Sequence, residues 1–201
     1  MLHISISEEV ATACPDLHVL VLSCDVCNSE PDERLWQEIA DEEKVVRETV
    51  KLEQINKWLP IQATRQAYKR LGKDPNRYRP SSEALRRRIL RELPLYKVDT
   101  LVDLINLVSI RSGYSIGGFD ADKIAGGSLV LGVGREGEVY HGIGRGELNI
   151  AGLPVYRDGY SGLDGLESAG KYAVDLLSKY VSAINMEAEL ITAEDRRKIT
   201  L

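Results

Sequence analysis

Apolar and polar residues alternate with two different periods along this chain, and the switches between them mark out its elements. Residues 3–7 and 17–24 are rich in β-branched side chains and read as strands, the second of them buried. After Pro31 a Glu-rich segment, 32–57, is predicted to be one long helix with a solvated acidic face of Glu38, Asp41, Glu42, Glu43 and Glu48. A second helix is expected over 61–71, ended by Gly72 in the left-handed conformation, before the loop KDPNRYRP that two prolines fix. Pro80-Ser81-Ser82-Glu83 then signals a helix start, with a serine hydroxyl to cap and a carboxylate suited to the N-terminal dipole. That helix should run to about Leu93, with Leu85 and Ile89 inward and Arg86, Arg87 and Arg91 on the outer faces.

The next helix is apolar on most sides. It begins near Asp99, which can cap it, ends near Gly113, and carries Leu101, Leu104, Ile105 and Val108. Asp103, Asn106 and Ser109 recur every three residues as a polar line against that background. Buried polar groups must find partners, so the line reads either as a pocket wall that orients a polar ligand or as a set of ties to neighbouring loops. Beyond it, Gly117 and Gly118 permit either close approach of a ligand to the backbone or unusual dihedrals, and Asp120 can brace the turn through backbone N–H groups. SLVLGVG and EVYHGIG around REG read as a hairpin, LPVYRDG as a further strand, and the region from about Glu167 as a closing helix with Tyr172, Leu176, Leu177 and Tyr180 inward. Helices and short strands in this mixture give an α+β class.

Charge changes the picture. From Arg65 to Arg91 there are ten basic residues against Asp74 and Glu83, a net of +8, in a chain whose formal total is −5. Local positive fields of this kind are the footprint of nucleic-acid binding and act despite an acidic whole. The residues expected to meet phosphate are Lys73, Arg77, Arg79, Arg86, Arg87 and Arg91; a merely solvated charged face is the competing reading.

Composition bounds the rest. The chain has 201 residues and 43% hydrophobic content, enough for one compact domain with a substantial core. MLHISISEEV has no basic n-region or apolar h-region, and no apolar run approaches a membrane span, so a soluble cytoplasmic protein is expected. Three cysteines are too few and too odd in number for a disulfide framework. Cys24 and Cys27 form a CxxC, but no second pair follows and His3, His18 and His141 are scattered without ligand spacing, so reduced cysteines at a strand end are expected. GREGE and GIGRGE lack both the Walker A pattern and a strand-to-helix GxGxxG. Neither a metal nor another cofactor is expected, and no Ser-His-Asp arrangement is evident.

The run RQAYKRLGKDPNRYRPSSEALRRRIL, with LYKVDTLVDLINLVSI and SIGGFDADKIAGG after it, resembles the B3/B4 domain of the phenylalanyl-tRNA synthetase beta subunit, more closely in its free-standing form. The likeness covers most of residues 1–201 and is clearest over 60–160. It implies a single layered domain with antiparallel and mixed sheets covered by helices. It also implies a tRNA partner, met at the aminoacylated acceptor end, with no DNA and no membrane expected.

In the synthetase this type of domain proofreads by hydrolysing tyrosine wrongly esterified to the phenylalanine tRNA. By that resemblance Asn106 corresponds to the pocket asparagine, and Gly118 and Asp120 to the pocket turn; Gly117 stands where bacterial synthetases usually have a histidine. Asp158 and Glu167 are the candidates for the pocket glutamate that reads the tyrosine hydroxyl. Class II motifs for amino-acid activation are absent, so the resemblance implies editing of mischarged tRNA in trans; a non-catalytic RNA-binding module and an amino-acid sensor are the alternatives.

Overall fold

The computed structural model describes residues 3–124, 128–142, 146–155, 163–192 and 196–199. Strand β1 (His3–Ile6) leads through a short helix α1 (Glu8–Ala13) to β2 (His18–Asp25). Helices α2 (Glu33–Thr49), α3 (Leu59–Arg70), α4 (Ser81–Leu90) and α5 (Thr100–Ser112) follow. The C-terminal half adds β3 (Ser128–Leu131), β4 (Val139–Gly142), β5 (Gly146–Asn149), α6 (Leu163–Tyr180), β6 (Ile184–Thr192) and β7 (Arg196–Ile199). The class is α+β with both parallel and antiparallel pairings, as expected: β1 pairs parallel with β3, β2-β6-β7 form an antiparallel sheet, and β4 pairs antiparallel with β5.

Two apolar layers hold these elements. One lies between β1, β3, α1 and β2 and is built from Ile4, Val10, Leu17, Val19, Val21, Leu129 and Leu131. The other lies between α2, α5 and α6, where Leu35, Ile39, Leu104, Leu107, Val108, Leu176 and Leu177 meet, with Leu22 and Cys24 of β2 and Met186 of β6 against them. Thus α5 is enclosed by helices and sheet, which explains its apolar character on most sides. Tyr172, Leu176, Leu177 and Tyr180 do turn toward that layer, as expected of the closing helix.

Several boundaries differ from expectation for identifiable reasons. The segment 32–57 is not one helix: α2 ends at Thr49, Val50 is extended, and a 3₁₀ turn at Ile55–Lys57 buries Ile55. Two successive β-branched residues at the break lower helix propensity, and burial of Ile55 requires the chain to turn back. No serine hydroxyl caps α4; Ser82 is instead buried, with its Oγ 3.3 Å from Ser115 Oγ. The helix stops at Leu90, where Glu92 adopts a left-handed φ of 55°.

The expected hairpin is also rearranged. SLVL pairs with β1 rather than with EVYH, and the hairpin is β4 with β5. A parallel partner supplied by the N-terminus cannot be read from local turn signals. Of LPVYRDG, the described residues 153–155 contribute the isolated bridge of Pro154 with Val133. Its later residues, 156–159, lie outside the described ones.

Candidate functional site

Helix α5 is capped at both ends as its sequence demands. Asp99 accepts from Val102 N–H at 2.8 Å, and Gly113 closes the helix with φ of 80°. Beyond Gly113 the chain doubles back along α5. Ser109 Oγ donates to Tyr114 O at 2.6 Å, and at Gly118 an added Cβ would lie 3.2 Å from Ile105 Cδ1. The return segment therefore follows the helix from Ser109 down to Ile105, the stretch that carries Asn106.

The three residues of the polar line on α5 divide between the two readings. Asp103 is fully buried and accepts from Trp36 Nε1 at 2.6 Å and from Val98 N–H at 3.2 Å. Burial pushes its carboxyl above the ordinary value, against the pull of those two hydrogen bonds. Ser109 holds the turn at Tyr114. Both are ties to neighbouring chain. Asn106 is not: it is half-buried, and among the described residues its amide has no hydrogen-bond partner.

At the turn, neither Gly117 nor Gly118 adopts a positive φ, so unusual dihedrals are not the reason for them. At Gly118 the reason is close packing on Ile105. Asp120 does brace the turn, accepting from Asp122 N–H at 3.2 Å as the cap of a 3₁₀ turn, Ala121–Lys123. The backbone N–H groups of Gly117 and Gly118 donate to no protein acceptor among the described residues.

The six basic residues singled out in the sequence separate into two groups. Arg77, Arg79 and Arg91 are exposed. Lys73 is buried, its ammonium donating to Ala151 O and standing 3.8 Å over the Tyr78 ring. Arg86, expected on an outer face, is buried at 7% exposure between Ile110 O, to which Nε donates at 2.7 Å, and the Trp58 ring at 3.7 Å. Desolvation lowers its pKa to about 10, so it remains charged near neutrality. The helix turns Ser82, Arg86 and Ile89 inward together; Leu85 and Ile89 alone left that face undetermined to within about 100°.

Arg87 is held by Glu83 at 2.7 Å, and this carboxylate is the hub that sequence patterning missed. Glu83 is fully buried and also receives Arg65 at 2.8 Å, with Arg79 at 3.8 Å. Its position in the first turn of α4 suggested only a dipole effect. The available signal was an arginine one turn to either side of Glu83, Arg79 and Arg87; Arg65, on α3, is too distant in sequence to be read. Trp36 and Trp58 were likewise missed: Trp36 lies within the predicted helix 32–57 and Trp58 just after it, and neither position tells which distant group its ring meets.

Cys24 is partly buried at the end of β2 and Cys27 is exposed; both are free. Among the described residues no group of three or more His, Cys, Asp or Glu could hold a metal ion, and no helix is long and apolar enough to cross a membrane. Of the candidates for a pocket glutamate, Asp158 lies outside the described residues, and Glu167 falls in α6 with its side chain outside them.

Searches of curated proteins and of solved structures return no match. The B3/4 domain model matches residues 63–168, a span that includes α4, all of α5 and the Gly117–Asp120 turn. With more than half of its 201 residues inside that match, the chain belongs to the B3/4 domain family, the domain type of the phenylalanyl-tRNA synthetase beta subunit.

Proposed function

We propose that this chain binds the acceptor end of an aminoacyl-tRNA and hydrolyses a mischarged ester in trans. An RNA-related role is the broader statement that family membership favours, and the editing step is the finer one. One observation carries it. On a polar line whose other two members, Asp103 and Ser109, are occupied, the Asn106 amide has no hydrogen-bond partner among the described residues, beside a return segment whose Gly117 and Gly118 N–H groups are equally uncommitted there.

The mechanism rests on positioning. Asn106 orients the aminoacyl group, and water attacks the ester carbonyl carbon. The N–H groups of Gly117 and Gly118 stabilise the oxyanion as it develops. Collapse breaks the bond to the ribose oxygen, which takes a proton from solvent, and frees the amino acid. Asp120 is engaged in the turn, so its part is to hold that backbone rather than to act on water. Gly117 in place of a histidine leaves space and removes a polar side chain, which favours weak or broad selectivity over strict selection of tyrosine.

The test is deacylation of a panel of mischarged tRNAs by the wild-type protein and by Asn106→Ala. Ester hydrolysis reduced in the folded variant, with tRNA still bound, is the expected result. Binding of tRNA with no hydrolysis by the wild type would leave a non-catalytic RNA-binding module; binding of free amino acids without RNA would point to a sensor.

A further inference from the structure

A second site lies away from α5, in a cleft between the Ile55–Lys57 turn and the outer face of α3. Its volume is about 280 Å³, and it is lined by Asn56, Lys57, Gln62, Arg65, Gln66 and Lys69. That is slightly below the roughly 300–1,000 Å³ of sites for drug-sized ligands, a size suited to one small polar unit. Helix α3 contains no acidic residue, and from Lys57 to Arg79 Asp74 is the single acid among seven bases. Ile61, Thr64 and Tyr68 are buried, which leaves Gln62, Gln66 and Lys69, at i, i+4 and i+7, as one exposed stripe over the cleft.

Two features of the lining call for a ligand. Lys57 and Lys69 are exposed and have no ion-pair partner among the described residues, whereas Arg65 is held by Glu83, Asn76 and Pro75. Among the described residues Asn56 Oδ1 is buried without a hydrogen-bond partner, an arrangement that folded proteins rarely leave unfilled. A ligand that satisfies both must carry a negative group for the lysines and a hydroxyl or amino donor for the amide oxygen.

We propose that this cleft binds one ribonucleotide unit of an RNA strand, with Lys57 and Lys69 on the phosphate and Asn56 accepting from the ribose 2′-hydroxyl. A hydroxyl both donates and accepts, so it suits the Asn56 amide in either orientation of its oxygen and nitrogen. Phosphate contacts carry affinity without sequence information, and the 2′-hydroxyl is the group that separates RNA from DNA. Gln62 and Gln66 supply further donors along the strand. The inference rests on the RNA-related reading above but places the contact on α3 rather than on α4.

The experiment is fluorescence anisotropy with a labelled RNA hairpin ending in CCA and with the same sequence as DNA. The full chain is compared with a Lys57→Gln/Lys69→Gln double variant and with Asn56→Leu. The double variant should bind RNA at least tenfold more weakly, with the log–log salt slope reduced by about 1.4–1.8 for two lost phosphate contacts. Asn56→Leu should lose most of the preference for RNA over DNA and, since it removes an unpaired buried acceptor, should melt no lower than the wild type. If the wild type binds RNA and the double variant binds it equally well at all salts, the cleft is not the site and the RNA-related reading survives. If the wild type binds neither hairpin, both fail. An Asn56→Leu variant with its RNA preference intact overturns the assignment of the 2′-hydroxyl.

Discussion

Glu83 shows most directly how a single side chain is fixed by its neighbours. Its carboxylate is fully buried, while the Arg65 and Arg87 side chains that balance it are 12% and 17% exposed. Removing one partner of such a group leaves the others uncompensated, so Glu83→Ala should cost about 3–5 kcal/mol by urea denaturation. At the α5 site the expectation is reversed. Asn106→Ala removes an amide that bonds no group among the described residues, so the melting temperature should stay close to wild type while deacylation falls by the equivalent of about 1–3 kcal/mol. A sharp loss of stability with unaltered activity per folded molecule would return Asn106 to a structural role. Gly113 is a third case: its φ is 80°, and an added Cβ would lie 2.5 Å from the Trp58 ring. Gly113→Ala should therefore destabilise by about 2 kcal/mol or more, since left-handed strain and overpacking act together. Residue types announced charge at Glu83, a polar amide at Asn106 and a turn at Gly113; which neighbours Glu83 and Gly113 would meet, and that Asn106 would be left unpaired, was not legible, because Arg65 and Trp58 lie far from Glu83 and Gly113 in sequence.

Elements followed the sequence where a local signal was sufficient. The Asp99 cap and the Gly113 stop of α5 are backbone chemistry within a few residues, and both appear as read. Helix α2 begins in the same manner at Asp32, whose side chain accepts from Arg34 and Leu35 N–H and pairs with Arg34 at 2.7 Å. The hydrogen bond from Arg34 holds the Asp32 carboxyl down from its ordinary 3.8 to about 2. A depressed carboxyl stabilises the fold above its unfolded value and ceases to do so as pH falls through the folded one, so this contribution disappears between about pH 4 and 2. Asp32→Asn keeps a capping oxygen but not the charge, and should flatten that part of the pH–stability curve measured by urea midpoints. Buried Asp103 acts in the opposite sense: with its pKa raised, it favours the fold at low pH and loses that contribution as pH rises through its folded value. The boundary errors, at Thr49 and at the rearranged hairpin, came where a distant strand or a buried Ile55 outweighed local preference.

At the scale of the whole molecule, the acidic total of −5 coexists with a basic region whose members serve two purposes. RNA affinity should fall steeply with salt, as counterion release requires. Within that behaviour, Arg77→Gln and Arg91→Gln, at exposed positions, should each reduce the log–log slope by about 0.7–0.9 with little change in stability. Arg86→Gln should do the reverse, lowering the melting temperature while leaving the slope unchanged, because its guanidinium is spent on Ile110 O and Trp58. A slope equally reduced by Arg86→Gln would show that this arginine turns outward to meet RNA. The amino-acid sequence by itself determined the α+β class, the caps of α5, the polar line along it and the location of the basic region. Each of these depends on residue type and on spacing within a few turns. Tertiary structure decided the rest: which polar residue of α5 remained unpaired, which arginines were buried around Glu83 and Trp58, and that SLVL would join the N-terminal strand. Those outcomes depend on groups brought together from distant parts of the chain, where burial and the need to satisfy every buried polar atom select among faces that local periodicity leaves equivalent.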